Sequence, residues 1–167
     1  MSSLLVLGGA RSGKSRLAQQ RIEQHAGKLA FIATAQPFDA EMRERIDRHK
    51  ADRGERWHTI EAPFDLIDAI READRQADAI LIDCLTLWLS NLMLADKPIP
   101  AAQLCATVAQ CRHPVILVSN EVGYGIVPEN GLARRFRDEA GLFNQQVASA
   151  VDAVALVVAG LPLFVKP

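Results

Sequence analysis

The sequence predicts an α/β fold, a mostly parallel sheet with helices on both faces, and three observations lead there. Apolar runs of four to six residues alternate with longer helix-like stretches along the whole chain. Those runs are continuous rather than alternating, as expected of strands buried on both faces. A glycine-rich segment follows the first run and opens the first helix-like stretch, the order of a strand–loop–helix unit.

The elements follow in order. Residues 4–7 read as a strand ending in glycines, and 14–25 as the helix behind it. Residues 29–33 form a second strand, and a charged helical stretch runs from about 41 to 52. A short strand at 58–60 precedes a helix at 64–74. The run 79–82 is a buried strand ending at Asp83, and 85–94 continue as a helix. Pro98 and Pro100 break the chain before a helix at 101–111. Residues 115–118 are a strand, 132–150 a long helix and 153–158 the last long strand. With no repeat, low-complexity segment or linker, residues 1–167 read as a single domain large enough to bury a core.

Bulk properties exclude several classes. Nineteen basic residues face 20 acidic ones, a net charge of -1, so no global field draws the chain to nucleic acid or anionic lipid. Aromatic residues are 5%, too few for the basic, aromatic groove of a nucleic-acid motor. The three cysteines, Cys84, Cys105 and Cys111, form no C-x-x-C pair, which argues against a disulfide framework or zinc site and fits a reducing compartment. The first eight residues lack a basic n-region and run into the glycine loop, so they read as a strand rather than a signal peptide. No apolar run approaches the ~20 residues of a membrane span. The expected location is the cytoplasm.

Gly8-Gly9-Ala10-Arg11-Ser12-Gly13-Lys14-Ser15 fits G-x-x-x-x-G-K-[ST] between strand and helix. The glycines let backbone N–H groups turn inward around phosphates, and the helix N-terminus adds partial positive charge. Lys14 reaches the outer phosphates as a point cation, and Ser15 would place its hydroxyl on Mg²⁺. Asp83, at the end of its apolar run, suits either a Mg²⁺ carboxylate or the N-cap of the next helix. Glu121 is a second candidate for the same cleft, or a surface-loop carboxylate.

Between 41 and 56, six basic residues stand among five acids, the composition of a solvated helix with pairs such as Glu41–Arg45 and Glu44–Arg48. His49 departs from that account, because Met42, Ile46 and Arg53 share its side at helical spacing. Neighbouring cations favour its neutral, nucleophilic form and would also receive a triphosphate. His25, His58 and His113 read as structural.

Several stretches together resemble one family. They are Gly8–Ser15, Ile32-Ala33-Thr34-Ala35, Glu41-Met42 with Arg45-Ile46 and His49, then Trp57, Thr59, Glu61 and Pro63. Asp83-Cys84-Leu85-Thr86, Ser119-Asn120-Glu121-Val122-Gly123 and Ile126-Val127-Pro128-Glu129-Asn130 continue the match. Leu132-Ala133-Arg134, Arg137-Asp138, Gly141, Asn144-Gln145 and Val157-Val158-Ala159-Gly160-Leu161-Pro162-Leu163 complete it. The chain resembles the bifunctional adenosylcobinamide kinase / adenosylcobinamide-phosphate guanylyltransferase family of cobalamin biosynthesis over nearly its whole length.

The resemblance implies a RecA-like P-loop sheet, propeller-shaped trimers and two reactions. ATP or GTP phosphorylates the aminopropanol hydroxyl of adenosylcobinamide; GMP from GTP is then attached through a guanylyl-histidine, with release of pyrophosphate. By motif match that histidine is His49. Guanine-nucleotide contacts are implied at the phosphate loop, at Ala33, Thr34 and Ala35, at Lys50, Ala51, Asp52 and Arg53, at Glu61 and at Asp83. The family often carries a basic residue where this chain has Gly131. Two rival readings are a different small-molecule kinase with a structural His49, and a GTPase-type switch. The latter would want N-K-x-D, and the nearest run, Asn120-Glu121-Val122-Gly123, lacks both the lysine and the aspartate.

Overall fold

The computed structural model describes residues 2–36 and 54–167. The elements are β1 (Ser3–Gly8), α1 (Lys14–Ile22), β2 (Leu29–Ala33), β3 (Trp57–Glu61), α2 (Leu66–Gln76) and β4 (Ala79–Asp83). They continue with α3 (Leu85–Leu94), α4 (Ala101–Gln110), β5 (Val115–Asn120), α5 (Gly131–Ala150), β6 (Ala153–Val158) and β7 (Leu161–Lys166). The helix expected over 41–52 lies outside the described residues.

The strands line up as β3-β2-β4-β5-β1-β6-β7, all parallel except β7, which runs antiparallel to β6. Period-two alternation divides their side chains between two layers. Leu5, Ile32, Ile80, Ile82, Leu117 and Val154 face α2, α3, α4 and α5. Leu4, Val6, Phe31, Leu81, Val118 and Ala155 face α1 through Ala18 and Ile22. Both faces of the central strands are therefore apolar, and a one-residue slip would exchange the two layers. The expected helix cover on both faces is present.

Register levels the carboxyl ends of the strands. Ala33 stands opposite both Glu61 and Asp83, Asp83 opposite Val118, and Val118 opposite Val6. Gly8 pairs with Asn120 on one side and Val157 on the other. Helix α3 runs across this end of the sheet: the Thr86 hydroxyl accepts from Asn120 N at 2.6 Å, while Asn91 Nδ2 donates to the carbonyls of Thr34 at 2.8 Å and Pro63 at 3.0 Å. Ser119 Oγ lies 3.2 Å from Thr86 Oγ1 and donates to Asn144 Oδ1 at 2.8 Å. Buried polar groups thus satisfy one another and tie the strand ends together.

Two helix boundaries and one strand depart most clearly from expectation. Helix α1 stops at Ile22, where Glu23 caps it and Gly27, at φ 89°, helps redirect the chain toward β2. Helix α2 starts at Leu66 rather than Phe64, because the Phe64 carbonyl accepts from Trp88 Nε1 at 2.8 Å and its ring lies under the Lys97 ammonium. Strand β7 was not anticipated; its Pro162 is tolerated because β7 is the edge strand of the sheet. Ala159 and Gly160, at φ 51° and 81°, make the positive-φ turn that folds β7 back on β6.

Trp88 is the largest side chain buried in the layer beneath α2–α5, 1% exposed, with its ring 6.0 Å from Phe143. Trp88→Ala should lower unfolding free energy by about 3–5 kcal/mol through lost burial and an orphaned Phe64 carbonyl. Urea unfolding followed by circular dichroism measures it.

Candidate active site

The phosphate loop is shaped by contacts that only glycine permits. A Cβ on Gly8 would stand 2.4 Å from Ser12 Oγ and 2.9 Å from the Val157 carbonyl oxygen. Gly13 adopts φ 94°, and its Cβ would meet Gly160 Cα at 3.1 Å. Arg11 also sits at positive φ, 53°, a strained conformation of the kind held at functional loops.

Gly13 is the N-cap of α1 and supplies no side-chain cap, and the first turn holds no acid. The N–H groups opening the helix therefore keep their donor capacity and positive dipole end for an anion. Lys14 Nζ donates to Gly9 O at 3.1 Å, which lays the ammonium back along the loop. Ser12 Oγ is buried with no hydrogen-bond partner, alone in this among side-chain atoms of the described residues. The loop borders an open cleft of about 560 Å³ lined by Arg11, Ser12, Gly13, Lys14, Ser15 and Arg16 and closed by Ala159 and Gly160. Among the described residues three cations and no acid line it, the electrostatics of a polyphosphate site.

The β6–β7 turn is a wall that sequence reasoning missed. Gly160 N donates to the Ser12 carbonyl at 2.8 Å, bolting the hairpin to the loop. An x-Gly pair between two apolar runs was the available signal. Arg16, one residue beyond the motif, was missed as well and lies beside Gly160.

Register brings Ala33, Glu61 and Asp83 into one row on the face that carries α1, whose start holds Lys14 and Ser15. Thr34, just past that row, is fully buried; its hydroxyl donates to the Cys84 carbonyl at 2.7 Å and accepts from Cys84 N at 2.9 Å. It fastens β2 to β4, leaving Ala35 nearer the surface. The N-cap position of α3 is Cys84, one residue past Asp83. Burial, with the Asp83 charge adding to it, pushes the Cys84 thiol up to about 11, so it stays protonated at neutral pH. Glu121 follows β5 directly: its N–H donates to Gly8 O at 3.1 Å, and its carboxylate turns back to accept from Gly123 N at 2.6 Å. His49, Lys50, Ala51, Asp52 and Arg53 lie outside the described residues.

The family model described as cobinamide kinase / cobinamide phosphate guanyltransferase matches residues 4–165. The chain belongs to this family. A bifunctional adenosylcobalamin biosynthesis protein of Pseudomonas aeruginosa, CobP, is 43% identical over 97% of this chain and 96% of its own length. CobU of Salmonella typhimurium, of the same description, is 43% identical over 98% of this chain and 99% of its own length. Among solved structures, the flagellar accessory protein FlaH of Methanocaldococcus jannaschii superposes with a TM-score of 0.57 over 99% of this chain and 78% of its own, at 12% identity, and so shares the α/β fold alone. Family membership makes this chain a transferase of cobalamin biosynthesis, with cobinamide kinase and cobinamide phosphate guanylyltransferase activity.

Gly13→Ala should push the loop off its seat on Gly160, since a Cβ brings both an unfavourable φ and a backbone contact. Nucleotide affinity should fall about ten- to a hundredfold, measured by titration calorimetry, with the far-ultraviolet dichroism retained.

Proposed function

We propose that a single phosphate cleft serves both reactions of this enzyme, with His49 as the covalent carrier of GMP. The observation that carries this reading is the uncapped start of α1 beside Lys14, in a cleft where Arg11 and Arg16 add further positive charge. In the kinase step the aminopropanol hydroxyl oxygen of adenosylcobinamide attacks the γ-phosphorus of ATP or GTP. The bond to the β–γ bridging oxygen breaks, the hydroxyl proton passes to water, and the nucleoside diphosphate leaves. Lys14 and the N–H groups of the loop offset the charge on the transferring group.

In the guanylyl step a neutral imidazole nitrogen of His49 attacks the α-phosphorus of GTP and pyrophosphate leaves. The phosphate of adenosylcobinamide phosphate then displaces the imidazole, giving adenosylcobinamide-GDP. Ala33, Ala35, Glu61 and the segment Lys50, Ala51, Asp52 and Arg53 complete the nucleotide contacts in this reading. Its support is the register that gathers Ala33, Glu61 and Asp83 on the α1 face.

Ser15 and Asp83 are the residues that would hold Mg²⁺. Among the described residues no group of three or more His, Cys, Asp and Glu gathers as a metal cage. One hydroxyl and one carboxylate instead suit a hard cation that completes its shell with phosphate oxygens and water. When bound, it neutralises charge on the nucleotide phosphates. Asp83→Asn should raise the MgCl₂ concentration needed for half-maximal activity; an unaltered Mg²⁺ dependence would remove Asp83 from the metal site.

A homotrimer in the cytoplasm completes the proposal. Strand β7 supports it, presenting an unpaired edge with Leu161, Leu163 and Val165 exposed, a surface that a second copy would cover. The three free cysteines fit a reducing compartment. No helix among the described residues is long and apolar enough to cross a membrane.

The decisive test of the carrier is label transfer. Incubation with α-labelled GTP should leave an acid-labile, alkali-stable adduct on the protein, while γ-labelled GTP leaves none. His49→Ala should lose the adduct and guanylyl transfer yet still phosphorylate cobinamide, and His58→Ala should keep both. Uptake of α-label by His49→Ala would end the guanylyl-histidine reading.

A further inference from the structure

We propose that the loop of residues 122–130, with Leu132 at its foot, is the docking face for the corrin macrocycle of the acceptor. The proposal rests on the two-reaction reading above and adds to it where the bulky part of the substrate lies. Tyr124 is 86% exposed and Ile126 97%, with Val127 and Leu132 also well exposed, an apolar cluster that solvent alone does not explain. Its backbone is braced. Arg134 Nη1 donates to the carbonyls of Pro128 at 2.9 Å and Glu129 at 2.6 Å, Glu121 holds Gly123 N, and Asn130 Oδ1 accepts from Ala133 N at 3.1 Å.

Position and charge select the occupant. The loop leaves β5 beside Gly8, tied there by the Glu121 N–H, so it rises along one side of the phosphate loop. The other side is the β6–β7 turn with Arg11 and Arg16. Residues 122–128, Val-Gly-Tyr-Gly-Ile-Val-Pro, carry no charge. The phosphate loop thus separates a cationic wall suited to a triphosphate from an uncharged apolar wall suited to a bulky amphiphile. Cobinamide must bring its hydroxyl to the γ-phosphoryl while the nucleotide occupies the open cleft beside the phosphate loop. It needs a surface adjoining the cleft. The loop also continues into an apolar groove of about 220 Å³ between α3 and α5, lined by Met93, Leu94, Leu132 and Phe136. Macrocycle methyl groups would rest on these side chains, with Tyr124 offering a ring face and a hydroxyl to the amide arms.

Tyr124→Ala, Ile126→Ser and Ile126→Asp test it, with Leu142→Asp, an exposed apolar residue elsewhere on α5, as control. Steady-state phosphorylation of cobinamide should show its KM raised about tenfold or more in the three loop variants. The nucleotide KM should stay unchanged, and the control should match the unsubstituted enzyme. Sedimentation velocity on each protein separates the alternative occupant, a second copy of this chain. An unaltered cobinamide KM overturns the docking face, as does a raised KM that appears only with a smaller sedimenting species. If the unsubstituted enzyme fails to phosphorylate cobinamide, the functional reading itself falls. An active enzyme with indifferent loop variants sinks only the docking face.

Discussion

The site depends on a backbone approach that leaves no room for side chains. The phosphate loop is pressed between the end of β1, the Val157 carbonyl and the β6–β7 turn, with Gly13 against Gly160 and Gly8 against Ser12. One hydrogen bond, Gly160 N to Ser12 O, joins the last hairpin to the first loop across nearly the whole length of the chain. Packing this tight fixes the direction of the loop's N–H groups before any phosphate arrives. Preorganised donors of that kind are the main source of charge stabilisation in phosphoryl and nucleotidyl transfer.

Around that contact, the carboxyl end of the sheet is held by buried polar bonds. Thr34 joins β2 to β4 through Cys84, Asn91 reaches from α3 to the ends of β2 and β3, and Thr86, Ser119 and Asn144 bind α3 and α5 to β5. Each would cost about 1–3 kcal/mol if left unpaired in the interior, so these groups bind the strand ends to one arrangement. The opposite end of the sheet is secured differently, by Asp74 accepting from Arg112 and His113. There the burial of Asp74 works against its ionised form, and hydrogen bonds from His113 and Arg112 outweigh it, holding the carboxyl below its ordinary range.

Two kinds of surface meet at the phosphate loop. Cations and an open helix end favour a nucleotide on one side; exposed apolar residues on a braced loop stand on the other. A kinase for a small polar acceptor would have little use for Tyr124 and Ile126 held in water. The family's acceptor is large and amphiphilic, and a flat apolar margin next to a polar cleft is a shape that can hold it while the chemistry stays inside.

The parallel α/β architecture, the order of nearly every strand and helix and the phosphate loop were legible because each is written locally. Continuous Val/Ile/Leu runs mark strands buried on both faces, and G-x-x-x-x-G-K-S needs only its flanking strand and helix to be read. Asp83 was placed at a strand end by the same logic, and it closes β4 one residue before the N-cap position of α3 at Cys84. Strand β7, the Ala159–Gly160 wall and Arg16 were not legible, because Pro162 is disfavoured in a strand until one knows that it lies on an edge. Nor could spacing show that Ala33, Glu61 and Asp83 share a row, since register between distant strands is set by packing of both faces at once. Local residue chemistry determined what this chain can bind; the long-range pairing of backbone against backbone decided where the walls of the site stand.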